Sequence, residues 1–76
     1  DIDGIKFTDT TGDVVKVNKC SDVLIQNCEF SYSSTGNGLN INQTDGEIIY
    51  CKAHHNYNDG FNIHGYGNTI FRNANG

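Results

Sequence analysis

The chain has 76 residues, 36% hydrophobic and 18% charged, which allows one small domain whose margin of stability is thin. Five Lys/Arg against nine Asp/Glu leave a net charge of −4. The basic residues Lys6, Lys16, Lys19, Lys52 and Arg72 are scattered, so the balance is wrong for clamping phosphates and nucleic acid is not an expected partner. No apolar run approaches the ~18 residues that a membrane-spanning helix needs, so no membrane association is expected either.

Helical periodicity is weak throughout. What recurs is apolar alternation in short bursts: Ile5-x-Phe7, Val15-x-Val17, Val23-x-Ile25, Leu39-x-Ile41 and Phe61-x-Ile63. Each burst is bounded by Gly, Asn, Asp or Ser, the signature of strands and turns. In chain order the pattern predicts a strand at Val15–Val17 and a bent strand over Val23–Phe30, followed by a polar loop, Ser31–Asn37. A strand at Gly38–Asn42 and a turn at Gln43–Gly46 come next. A further coil then runs through Ile48–His54, loop His55–Asp59, strand Gly60–His64, turn Gly65–Asn68 and strand Thr69–Asn73.

The bursts repeat at a longer period. Val15, Leu39 and Phe61 are spaced by 24 and 22 residues, and Val17, Ile41 and Ile63 follow the same spacing. A further ladder runs Ile25, Ile48, Ile70, and Cys28 to Cys51 is again 23 residues. Fixed self-similarity on this scale marks a solenoid. Two or three strands per coil of 22–24 residues predict an all-β fold, a right-handed parallel β-helix of about three coils over residues 1–76. Nothing in Asp1–Thr10 reads as a targeting segment. The lack of an initiator Met and the abrupt ends lead to the expectation of a piece excised from a longer rod.

Period-2 alternation assigns the faces. With Val15, Val17, Leu39, Ile41, Phe61 and Ile63 turned inward, two polar columns face out. One is Lys16, Asn40, Asn62; the other is Asn18, Asn42, His64. Cys20, Cys28 and Cys51 are odd in number and lack a C-x-x-C spacing, so they are expected as buried free thiols, with Cys28 over Cys51. His54 and His55 are adjacent and on an extended chain would face opposite ways, so no metal site or cofactor is expected.

The string from Cys51 through Asn56 and Asp59-Gly60-Phe61 to His64 resembles the coil repeat of pectin-lyase-like right-handed β-helix proteins, as Ser21–Phe30 resembles their other half-coil. Polysaccharide lyases, phage tailspikes and adhesins share that fold. The segment is particularly similar to alginate C5-epimerases. In that family a Tyr-Gly-x-Asp-Pro-His segment precedes the Asp-Gly-Phe strand by one coil. Here the matching positions read Asn37-Gly38-Leu39-Asn40-Ile41-Asn42, and the further Asp three residues after the Phe corresponds to His64. An amide is no proton-transfer base, so the epimerase chemistry is not encoded in this stretch.

The resemblance implies a segment of an extracellular or virion-surface protein that binds or processes polysaccharide. The alternative is a non-catalytic structural segment of a tailspike, fibre or adhesin, with a homotrimer or further coils of the same parent as partners. Catalysis by this chain alone is not expected. Amide and imidazole columns suit sugar hydroxyls, since each amide both donates and accepts. The expected ligand contacts are therefore Lys16, Asn40, Asn42, Asn62 and His64, with Tyr57 as the loop aromatic that could stack on a sugar ring. His64 and Asp59 are the candidates for acid–base work, against the plainer readings of a solvated strand end and an Asp-Gly turn. Asp13 and Asp59 are expected to flank Asn37 in a stack of short polar side chains. Asn42-Gln43-Thr44 also matches a glycosylation acceptor.

Overall fold

The computed structural model describes residues 1–65, 69–72 and 74. Ten short strands follow in chain order: β1 (Ile2–Asp3), β2 (Lys6–Thr10), β3 (Val15–Asn18), β4 (Val23–Gln26), β5 (Glu29–Ser33), β6 (Leu39–Asn42), β7 (Gly46–Ile49), β8 (Lys52–His54), β9 (Phe61–His64) and β10 (Thr69–Arg72). No helix occurs among the described residues.

The strands form three parallel sheets, ordered β1-β4-β7-β10, β2-β5-β8 and β3-β6-β9. Every pairing joins one coil to the next, never neighbours in sequence. In the third sheet Val15 pairs Leu39, which pairs Phe61, and Val17 pairs Ile41, which pairs Ile63. These are the ladders that the spacing predicts. In the first sheet the inward column is Ile2, Ile25, Ile48 and Phe71. The predicted ladder through Ile70 is therefore corrected. Ile70 pairs outward-facing Glu47 and is 48% exposed, and Phe71 takes the inward place. The two apolar residues are adjacent, and a slip of one residue in a strand reverses its faces.

The bent strand expected over Val23–Phe30 is two strands, β4 and β5, broken by a corner at Asn27-Cys28. The corners have a backbone signature of their own. Gly4, Asn27 and Tyr50 have φ of 71°, 54° and 51°; Asp9, Tyr32 and His55 have 61°, 59° and 55°. Lys19, Gln43 and Gly65 form a third such column, at 54°, 51° and 85°. A left-handed residue recurs at the same place in each coil, just past the strand end in the first and third columns and near the strand end in the second, where Asp9 and Tyr32 lie within β2 and β5. Most of these residues are not glycine, and holding each of them there costs on the order of 1 kcal/mol, which the stacked coils offset.

The core is formed by Ile25, Cys28, Phe30, Leu39, Ile41, Ile48, Cys51 and Ala53. Phe7 stacks flat on Phe30 at 5.7 Å, and Phe61 meets Phe30 edge-on at 6.4 Å and Phe71 at 5.2 Å. Gly38 is obligatory for this packing, because a Cβ there would stand 2.6 Å from the Gly60 carbonyl oxygen and 2.7 Å from the Asn56 amide nitrogen. Cys28 and Cys51 carry buried free thiols as expected, whereas Cys20 is exposed. Burial raises the thiol pKa of Cys51. Turn Gly65–Asn68 and the end of strand Thr69–Asn73 fall partly, and Tyr66 wholly, outside the described residues.

Candidate functional site

The sequences Val15-Lys-Val-Asn18, Leu39-Asn-Ile-Asn42 and Phe61-Asn-Ile-His64 alternate strictly, so their even-numbered residues leave the core together. The register places Lys16, Asn40 and Asn62 in one column and Asn18, Asn42 and His64 in the other. Strand-to-strand steps are ~4.8 Å. The outward face of β3-β6-β9 is therefore a ruled polar surface.

The columns are partly cross-linked. The Asn42 amide donates to Asn18 Oδ1 at 2.7 Å, and the Asn40 amide donates to Asp13 Oδ2 at 2.8 Å. Asp13 Oδ1 also accepts from the backbone and side-chain N–H of Asn37, at 2.8 and 3.0 Å. These donors, that of Asn40 above all, hold the Asp13 carboxyl below its ordinary pKa of 3.8 despite partial burial. The amide of Asn40 is thereby oriented, because a carboxylate can only accept. Its Oδ1 is left facing His64 Nε2 at 3.0 Å. His64 must donate from Nε2, so in the neutral ring Nδ1 carries the free lone pair. Asp13, Asn40 and His64 form one relay across three coils that sets the tautomer of an exposed imidazole.

Asn62 has no side-chain hydrogen-bond partner among the described residues, and Lys16 is exposed at the foot of its column. Tyr57 lies in the loop between β8 and β9, its N–H donating to Ser33 O. Its ring is 78% exposed and makes no hydrogen bond or ring contact among the described residues. Asp59 is exposed at the end of the same loop, where its N–H donates to Asn37 Oδ1 at 2.9 Å. The stack of Asp13, Asn37 and Asp59 thus exists, and its hydrogen bonds hold corners together around a buried Asn37. No hydrogen bond joins Asp59 to His64 among the described residues. Thr44 of the glycosylation triplet is 3% exposed and its hydroxyl donates to Asn42 O.

A second polar cluster lies on the outward face of β2-β5-β8, and the period-2 reading missed it. His54 and His55 do not face opposite ways. The left-handed φ of 55° at His55 breaks the alternation and brings the two Nδ1 atoms to 2.8 Å. His54 Nε2 lies 3.0 Å from Glu29 Oε2, and Lys6 Nζ is 3.6 Å from the same oxygen. The hydrogen bond from His54 is the main cause that lowers the Glu29 pKa. Tyr32 stacks on His55 at 4.9 Å with ring planes 9° apart, and meets His54 edge-on at 5.8 Å. The 23-residue step from Tyr32 to His55 was the available signal, but neither residue type announces a left-handed backbone.

Among the described residues no group of three or more His, Cys, Asp or Glu side chains converges as a metal site. Parallel strands stacked coil on coil around one apolar interior define a parallel β-helix solenoid. The chain belongs to the right-handed β-helix family, whose model of the right-handed beta helix region matches residues 1–75. No curated protein and no solved structure gives a significant match to the chain.

Proposed function

We propose that this β-helix segment binds polysaccharide on the outward face of β3-β6-β9, as part of an extracellular or virion-surface protein. The observation that carries the reading is the in-register pair of columns, with the side chains of Asn62 and Lys16, the Nδ1 of His64 and the Oδ1 of Asn42 free of hydrogen bonds among the described residues. Donors and acceptors repeated at ~4.8 Å suit the successive hydroxyls of a sugar chain. The net charge of −4 favours a neutral glycan over a strongly anionic one, with Lys16 available to a single carboxylate. The reading is binding rather than turnover, since the columns consist mainly of amides, which donate and accept hydrogen bonds without exchanging a proton.

One observation favours a structural reading instead: Asn18, Asn42, Asn40 and His64 already bond one another or Asp13. A panel of neutral and acidic oligosaccharides separates the two. Binding to a panel member that is lost in Asn62→Ala/His64→Ala, with an unchanged far-ultraviolet spectrum, supports the glycan face. A segment inert to the whole panel, or one whose affinity survives that double substitution, overturns it.

A further inference from the structure

We propose that Asp13 is a positioning residue that fixes the hydrogen-bond polarity of the β3-β6-β9 face, and so selects glycans with free hydroxyls beside His64. The selection rests on the glycan reading above; the polarity does not. It starts from a backbone group, which cannot be turned over. The N–H of Asp59 donates to Asn37 Oδ1 at 2.9 Å, so the other end of that amide is a donor. That amide and the Asn37 N–H both donate to Asp13 Oδ1, at 3.0 and 2.8 Å. Asp13 Oδ2, an acceptor only, takes the Asn40 amide at 2.8 Å. Asn40 Oδ1 is left to accept from His64 Nε2 at 3.0 Å, and Nδ1 of the neutral ring is an acceptor toward solvent.

A second acceptor lies beside it. Asn42 pairs His64 across β6 and β9, ~4.8 Å away by strand spacing. Its amide is spent on Asn18, which leaves Asn42 Oδ1 bare among the described residues. A Cβ at Gly65 would stand 2.6 Å from that oxygen, so glycine keeps it open. Two neighbouring acceptors take two hydroxyl donors and offer nothing to an ether or ester oxygen. A sugar methylated or acetylated at those hydroxyls leaves both acceptors unpaired and is rejected.

Exchange of one atom should invert the polarity. In Asp13→Asn the two donors of Asn37 hold the new carbonyl oxygen in the place of Oδ1, so the new amide nitrogen faces Asn40. Asn40 then turns its oxygen to that nitrogen and its own amide to His64 Nε2. The imidazole proton moves to Nδ1, and an acceptor toward the glycan becomes a donor.

Nitrogen NMR of the imidazoles in mildly alkaline buffer, where imidazole is neutral, tests the polarity with no glycan present. We expect His64 to carry its proton on Nε2 in the wild type and on Nδ1 in Asp13→Asn. Asn40→Ala should leave a mixture of tautomers, and adding Asp13→Asn to it should change nothing further at His64. That double variant separates the relay from the loss of a charge near Lys16. Neutral glucose, mannose and galactose hexasaccharides and their O-methylated forms then test the selection. The wild type's preference for free hydroxyls should fall by about 3–10-fold in Asp13→Asn. A His64 still protonated on Nε2 in Asp13→Asn, or held in one tautomer in Asn40→Ala, overturns the proposal and leaves the glycan reading standing. An inverted tautomer with an unchanged preference overturns the selection. A segment inert to every hexasaccharide overturns the glycan reading and the selection with it.

Discussion

The middle of the stack, from Ile25 to Ala53, and the turns on either side of it use the same kinds of residue at the same inward positions, yet only the middle is a core. Ile41 is 1% exposed and its ladder partner Ile63 is 50% exposed; Leu39 is fully buried, whereas Val15 and Phe61 on either side are half-buried. Every fully buried apolar residue falls between Ile25 and Ala53. So do the buried polar residues Ser31, Ser33, Asn37 and Thr44, and no buried side-chain polar atom lacks a partner among the described residues. In this fold burial comes from having a coil on both sides. Pattern assigns a residue to the inside, and stacking decides how much that is worth.

The largest expected effect tests that asymmetry directly. Phe30→Ala removes a fully buried ring packed against Phe7 and Phe61, and should destabilise by about 3–5 kcal/mol, while Phe61→Ala should cost roughly half as much. Urea midpoints of the two variants in parallel check it. Equal losses would mean that the flanking coil is packed as tightly as the middle one.

A smaller effect is expected at the polar strut between coils. Asp13→Ala leaves three donors from Asn37 and Asn40 without their acceptor, and should cost about 1–3 kcal/mol. The Asp13 pKa is depressed in the folded state, so its contribution is complete above the ordinary value of 3.8 and is lost as pH falls through the lower folded value. Stability measured from neutral pH into this acid range should fall less steeply for Asp13→Ala than for the wild type. Parallel acid limbs would remove Asp13 from the strut.

The smallest effect sharpens the contrast within one ladder. Ile63→Ala should cost under about 1 kcal/mol because half of the side chain is already in water, against roughly 2–5 kcal/mol for Ile41→Ala. Thermal melts of the two variants suffice to compare them.

Much of this was legible in the sequence. Val15, Leu39 and Phe61, with Val17, Ile41 and Ile63, gave register and faces correctly, because spacing and alternation agree on every strand of that sheet. Legibility ended where the chain leaves extended geometry. The slip between Ile70 and Phe71 arose because both are apolar and a period of 22 or 23 fits either. The pairing of His54 with His55 was hidden because alternation holds only while φ is negative. A left-handed Tyr32, Tyr50, Gln43 or His55 is imposed by the stacked coils rather than by the residue's own preference. The relay from Asp13 through Asn40 to His64 was out of reach for a different reason: it runs diagonally between columns that the pattern treats as separate.

The offset of 22–24 residues between paired strands has a consequence for how the segment assembles. Ile2 to Ile25 and Ile25 to Ile48 are both 23 residues, so no ladder forms until a loop of that length has closed, at a cost of about 3 kcal/mol plus a constant. Every added turn meets a similar toll, set against its contacts with the turn before it, and the coils close one on another as a zipper does. Asn40 and Asn42 ride on one turn, and Asn62 and His64 on the next. A ligand that bridges the two rows therefore staples one turn to its neighbour, and its occupancy and the closure of the zipper rise together.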